Sequence, residues 1–336
     1  MNCCCTIISP DYYPFARTLY QSLARYMPGA VLHVLIMGEH KAPTASLNES
    51  IHFNHADELW GHGLSSSIRE KYSKTDNIIR WALKPAYISF LLEQYEKVIF
   101  LDPDLFFTAN ADFLFQELEG AGMLLSPHGI SADPLEDADN IAMNTRTGLY
   151  NAGMIGASRT GRHLLEWWAA AILQKMEKNE SLGLFDDQRY LDMLPVLDEN
   201  VRILRHKGCN LGSWNIHSNP RSIVQGQLLL NGREPIVFIH FNQETIRQIL
   251  NRNDILLLPY FETYRASLLE NGYDLMKRLD HLPFKKYESA SYKFRHRLRL
   301  RTRLKRWLIQ VSKRSEFACQ TTHTISQFLS GCAQWL

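Results

Sequence analysis

The chain has 336 residues, 45% hydrophobic, 11% aromatic and 21% charged, enough to bury a large core and incompatible with a disordered or fibrous protein. Its net charge of +2 is a cancellation. Residues 285–314 hold twelve Lys or Arg, and residues 282–336 hold only two acids, Glu288 and Glu316. The other 281 residues carry 25 basic against 33 acidic side chains, an acidic body of −8 joined to a tail of +10.

Cys3 to Ser9 is a short apolar run that predicts a buried strand. Cys3, Cys4 and Cys5 have neither disulfide-framework nor metal spacing, so with Cys209, Cys319 and Cys332 they point to a reducing compartment. The N-terminus has no basic flank before its apolar run, and no stretch approaches the 18 or so apolar residues of a membrane span. A cytoplasmic protein is expected.

A helix pattern follows at Phe15, Leu19, Leu23 and Tyr26 and stops at Pro28-Gly29; Val31 to Met37 is a second strand. Strand, helix, strand is a βαβ start and predicts a parallel sheet. Residues 39–75 show no clear order. A helix is expected over Ile78–Tyr95, strands over Lys97–Leu101 and Met123–Ser126, and an acidic loop over 131–140. A strand over Leu149–Ala157 and a helix over Gly161–Lys178 come next. Asn231-Gly232 predicts a hairpin joining Leu228–Leu230 to Ile236–Ile239. A helix over Tyr260–Leu279 closes one α/β body over 1–281, with 282–336 as an appended tail.

The sharpest chemical signal is Asp102-Pro103-Asp104, directly after the apolar strand Val98-Ile99-Phe100-Leu101. Two carboxylates two residues apart point to the same side, and open α/β sheets bind ligands at the carboxyl ends of their strands. Such oxygen donors suit Mg²⁺ or Mn²⁺ bridging a diphosphate. A phosphatase of the haloacid-dehalogenase type would instead use Asp102 as nucleophile. It would expect a small or β-branched residue where Phe106 stands, and its motif on the first strand. A turn with Asp102 as a helix cap is the structural alternative.

Eight motifs then occur in a consistent order: Thr6-Ile7-Ile8-Ser9 with Tyr13; Lys84-Pro85; Asp102-Pro103-Asp104; Pro127-His128; Tyr150-Asn151-Ala152-Gly153; Phe185-Asp186-Asp187-Gln188; Cys209-Asn210 with Trp214-Asn215; and Phe238-Ile239-His240-Phe241-Asn242. In these the chain resembles, over residues 3–270, a GT-A-fold glycosyltransferase related to glycosyltransferase family 8, whose members transfer sugars from nucleotide diphosphates. The resemblance implies a Rossmann-like, mostly parallel sheet flanked by helices, and a divalent metal, Mn²⁺ or Mg²⁺, shared by Asp102, Asp104 and His240. It implies donor contacts from Thr6, Ser9, Tyr13, Lys84, Asn151, Ala152, Gly153 and Asn242. Asp187 and Gln188 would lie at the reacting sugar carbon, and Trp214 and Asn215 on the acceptor side. Retention of anomeric configuration is implied in the same way. Asn242 stands where relatives carry Ser followed by Gly, and their Lys-Pro-Trp ending is absent.

In the tail, Leu300, Leu304, Trp307, Leu308 and Val311 fall on one helical stripe flanked by Arg299, Arg301, Arg303, Lys305 and Arg306. A basic helix with a Leu/Trp face fits an anionic membrane surface, at roughly 1 kcal/mol per cation. No nucleic-acid module is present. The expectation is a glycosyltransferase moving a hexose-type sugar from a UDP-sugar to a cell-envelope or lipid-linked glycan, held peripherally at the inner face of the membrane. A non-catalytic sugar-nucleotide-binding protein at the membrane is the competing class.

Overall fold

A computed structural model describes residues 1–38, 50–73, 76–131, 133 and 138–279. The tail stripe, Cys319 and Cys332 lie outside the described residues. The first strand, β1 (Asn2–Ile8), shows why the N-terminal run is apolar throughout. Cys3, Cys5 and Ile7 enter one hydrophobic cluster, whereas Cys4 and Ile8 enter a second on the opposite face. A parallel strand covered on both sides needs no polar alternation, and cysteine serves there as a small hydrophobe.

Helix α1 (Tyr13–Tyr26) lays Ala16, Leu19, Tyr20 and Leu23 on the second cluster at i, i+3, i+4 and i+7. Strands β2 (Leu32–Ile36) and β3 (Ile51–His55) extend the sheet in parallel from β1. The other face receives α2 (Ser65–Tyr72), α3 (Asp76–Ala82) and α4 (Lys84–Leu91). The single helix expected over 78–95 is thus two. Pro85, in the first turn of α4, has no N–H for the carbonyl four residues back, so the helix restarts.

The chain returns to the far side of β1 as β4 (Lys97–Leu101), parallel to it. This change of winding direction is the switch point at which such sheets bind ligands. Then follow β5 (Leu105–Phe107), α5 (Phe113–Gln116), β6 (Met123–Pro127) and α6 (Ala138–Thr147), which begins inside the stretch read as a loop. β7 (Tyr150–Ser158) runs antiparallel between β4 and β6. α7 (Arg162–Gln174) is shorter than expected, and Lys178 belongs to a small hairpin of β8 (Lys178–Asn179) and β9 (Leu184–Phe185). After α8 (Leu194–Leu197), β10 (Val201–Ile203) completes the sheet order β10-β6-β7-β4-β1-β2-β3. The fold is the expected α/β one, a seven-stranded, mostly parallel sheet flanked by helices.

The segment after the sheet corrects the hairpin expectation. β11 (Arg221–Val224) and β12 (Gln227–Leu230) form their own hairpin, with Gln225 and Gly226 at positive φ. Asn231 and Gly232 do turn the chain, at φ 52° and 72°, but only into the two-residue β13 (Glu234–Pro235). β14 (Phe238–His240) leaves to pair antiparallel with β5, His240 opposite Leu105. Phe238 and Ile239 are fully buried there, whereas Ile223 on β11 is 65% exposed. Burial of the large side chains decides the pairing. α9 (Gln243–Leu250), α10 (Leu258–Glu270) and α11 (Leu275–Leu279) bury Ile246, Phe261, Tyr264, Leu268, Leu275 and Leu279 in a third cluster. The helix expected over 260–279 breaks because Gly272 turns left-handed, φ 87°, and its N–H and that of Tyr273 bond back to Leu269 and Leu268. Among the described residues no helix is long and apolar enough to cross a membrane.

Candidate active site

A cavity of about 600 Å³ opens at the carboxyl edge of the sheet over β4 and β7. The turn after β4 places two acids on its floor. The Asp102 N–H donates to the Gly153 carbonyl (2.7 Å), and the Leu105 N–H donates back to the Asp102 carbonyl (3.1 Å). Pairing of β14 with β5 then brings in the third group. The Phe241 N–H donates to the Asp104 carbonyl (2.9 Å), and His240 Nε2 lies 3.0 Å from Asp104 Oδ1 and 3.9 Å from Asp102 Oδ2. One ligand atom from each of Asp102, Asp104 and His240 falls within 4.8 Å of the others.

Gly153 is required by this arrangement. A Cβ there would lie 2.6 Å from Asn151 Oδ1, 2.7 Å from His240 Cε1 and 2.9 Å from Asp102 Oδ2. His240 Nδ1 faces Asn210 Oδ1 at 3.4 Å, which directs Nε2 to the acids. Asp104 holds the His240 imidazole above its ordinary range although burial works the other way. Burial raises the Asp104 carboxyl, but His240 outweighs it and lowers the pKa. Two carboxylates and an imidazole in one pocket fit Mn²⁺ or Mg²⁺.

Lys84, 3% exposed, joins this trio to the rest of the site. Its ammonium lies 3.3 Å from Asp102 Oδ1 and 3.3 Å from Asp187 Oδ2, and donates to the Ala152 carbonyl (3.0 Å). Burial opposes its charge, yet the two acids keep its pKa above the ordinary lysine value. Asp187 is pushed up to about 6, because burial, with Asp102 and Asp186 nearby, outweighs Lys84. Trp168 Nε1 donates to the Asp187 carbonyl (2.9 Å) and fixes that backbone. Gln188 is tied on both sides, accepting from the Ala152 N–H (3.1 Å) and donating to the Thr147 carbonyl (2.9 Å). Asp186 does not cap the following turn. It sits at φ 48° and pairs with Lys178 (3.1 Å), whose ammonium lies over the rings of Trp81 and Phe185.

The cavity therefore gathers Lys84, Asp102, Asp104, Asn151, Ala152, Gly153, Asp187, Gln188, Trp214, His240 and Asn242 from the sequence-derived set. It does not gather the rest. Thr6 is fully buried in β1, Ser9 bonds to Asp11, and Tyr13 packs on Phe53 at 5.5 Å. Their neighbours Ile7 and Tyr12 line the cavity instead. Asn242 caps α9, accepting from the Thr245 N–H (2.9 Å). Asn215 stands behind Trp214 and donates to the His128 and Asn210 carbonyls. Sequence reasoning missed Arg80, Trp81 and Lys178 as lining residues. Arg80 precedes Lys84 by four residues, a spacing that signals one face of a helical segment; Lys178 had no such signal, lying in a two-residue strand.

No family model matches the chain. It is similar to the uncharacterised protein YfnF of Bacillus subtilis (strain 168), 26% identical over 245 residues, which is 71% of this chain and 80% of that protein. It is also similar to the uncharacterised YfnD of the same strain, 25% identical over 250 residues, 72% of this chain and 77% of that one. Among solved structures, apo mouse xyloside xylosyltransferase 1 aligns with a TM-score of 0.44 at 16% identity, over 73% of this chain and 99% of that chain.

Proposed function

We propose that the chain is a metal-dependent glycosyltransferase that moves a hexose-type sugar from a UDP-sugar to a cell-envelope or lipid-linked glycan with retention of configuration. The observation that carries this reading is the Asp102, Asp104 and His240 cluster, set at the switch point of the sheet and sharing one cavity with Lys84 and Asp187. These three side chains would hold Mn²⁺ or Mg²⁺. A bound divalent cation would neutralise the donor diphosphate and make it a better leaving group.

The other residues act on the donor directly. Lys84 supplies a fixed positive charge beside the diphosphate, preorganised by Asp102 and Asp187. Gly153 leaves room for the sugar where any side chain would strike the metal ligands. Asp187, adjacent to Lys84, faces the developing positive charge on the sugar carbon, and Gln188 holds the strand backbone at Ala152 beside it. Trp214 walls the acceptor side. The +10 segment at 282–336 would hold the enzyme on anionic lipid at the inner face of the membrane.

Thermal unfolding with a panel of nucleotide sugars, with and without Mn²⁺, tests the reading. A UDP-sugar is expected to raise the Tm only when the metal is present; no stabilisation by any nucleotide sugar refutes it. Deletion of 282–336 is expected to move the protein from the membrane fraction to the soluble one, and unchanged partitioning rejects the anchor.

A further inference from the structure

Pro127-His128 is the motif of the series that reaches the cavity and that the reading above leaves without a role. His128 follows β6, lines the cavity and is 7% exposed. Its backbone is pinned on both sides. The N–H donates to the Leu149 carbonyl (2.9 Å), and its own carbonyl accepts from Trp214 Nε1 (2.8 Å) and Asn215 Nδ2 (3.2 Å). The imidazole Nδ1 lies 2.9 Å from the Gly148 carbonyl. A carbonyl only accepts, so Nδ1 carries the hydrogen. Burial, helped by His240, holds the pKa down to about 4, so the ring is neutral and Nε2 is a bare lone pair. Among the described residues Nε2 has no hydrogen-bond partner.

Nε2 is not among the polar atoms sealed without a partner, so this acceptor opens to the cavity, where a ligand can offer it a donor. Diphosphates and carboxylates have no hydrogen to give at neutral pH; hydroxyls do. The Trp214 indole meets both the His128 ring (6.4 Å) and the His240 ring (5.6 Å) at nearly right angles, so His128 stands one indole removed from the metal trio, on the wall assigned to the acceptor. We infer that His128 is a specificity-determining residue whose Nε2 accepts a hydrogen bond from a hydroxyl of the acceptor sugar. The inference rests on the glycosyltransferase reading for the identity of that sugar as acceptor.

Two measurements on the full chain test it. Long-range proton–nitrogen correlation of ¹⁵N-histidine-labelled protein, with His128 assigned from the His128→Asn spectrum, reads the tautomer without any turnover. The Nδ1–H form is expected, and its Nε2 resonance is expected to move when octyl β-glucoside, β-galactoside or β-mannoside is added with UDP and Mn²⁺. An Nε2–H form, or no shift with any of the three glycosides, overturns the inference whether or not the protein transfers sugar. Kinetics with a UDP-sugar and the same glycosides then separate roles. His128→Asn keeps a donor for Gly148 but lacks the acceptor atom, and is expected to raise the acceptor KM about tenfold while the donor KM changes less. His128→Gln, which extends an amide oxygen toward the Nε2 position, is expected to recover part of that loss. A fall in kcat alone, with the acceptor KM unchanged, refutes the role. Absence of transfer by the unmodified protein refutes the glycosyltransferase reading instead, and the resonance shift still decides this one.

Discussion

Two buried ion-pair clusters in this protein have opposite balances. Arg221 and Asp254 meet at 3.2 Å, each side chain 2% exposed. The arginine also donates to the Gly212 and Asn219 carbonyls, and Asp254 accepts from Ser213 Oγ. One cation meets one anion, and the cluster braces the turn that carries Trp214. Lys84, by contrast, is one ammonium between two carboxylates, with Asp104 and His240 alongside and a cavity above. The first cluster is balanced in charge as it stands; the second has surplus negative charge facing a space. A balanced pair in a sealed core organises a fold, whereas surplus carboxylate at an open sheet edge is a place for a cation.

Removing a partner from the sealed pair is expected to give the largest effect. Burial lowers Arg221 to about 10 and raises Asp254, so Arg221→Met strands a buried carboxylate. It should cost about 3–5 kcal/mol of unfolding free energy, read by denaturant titration; a loss under about 1 kcal/mol would show that the pair is not structural. Asp102→Asn should do the reverse, leaving the Tm nearly unchanged while turnover falls roughly 10²–10³-fold and Mn²⁺ no longer raises the Tm. Full activity in that variant would remove the metal assignment.

Asp187 sharpens the contrast through pH. Its pKa rises from 3.8 unfolded to about 6 folded, so the native state binds more protons between those values and stability declines as pH rises through that window. Asp187→Asn should abolish this decline, worth about 2–3 kcal/mol, in Tm measured from pH 4 to 7. The smallest effect concerns metal affinity. Because the His240 pKa is raised, a proton competes with the cation, and Mn²⁺ affinity should weaken by up to about tenfold per pH unit below that pKa. A pH-independent affinity between pH 5 and 8 would exclude His240 as a ligand.

Much of this was legible locally. Burial of Cys3, Cys4 and Cys5 in one apolar strand, the helical stripe of α1, and the apolar β4 ending in Asp102 and Asp104 are short-range patterns, each set within one element. The αL turn at Asn231-Gly232 was legible too, but its partner was not. A turn fixes where the chain reverses, while the choice between β12 and β5 for Phe238-Ile239-His240 depends on which pairing buries two large side chains. Tyr12, rather than Tyr13, faces the cavity for a similar reason: a 3₁₀ turn over Pro10–Tyr12 precedes α1 and resets which side chain points to the sheet edge.

By itself, then, the sequence determined a parallel α/β sheet with an acid pair at the end of β4, and a chain divided into an acidic body and a basic end. Only the tertiary structure decided how His240, which the resemblance already joins to the acid pair, reaches it, that Lys84 lies between Asp102 and Asp187, and that Arg221 finds Asp254. Those contacts join residues from 18 to 138 positions apart, and no local period reports on such distances. They follow from burying the Phe- and Leu-rich strands together, which carries the polar groups at the strand ends into one cavity.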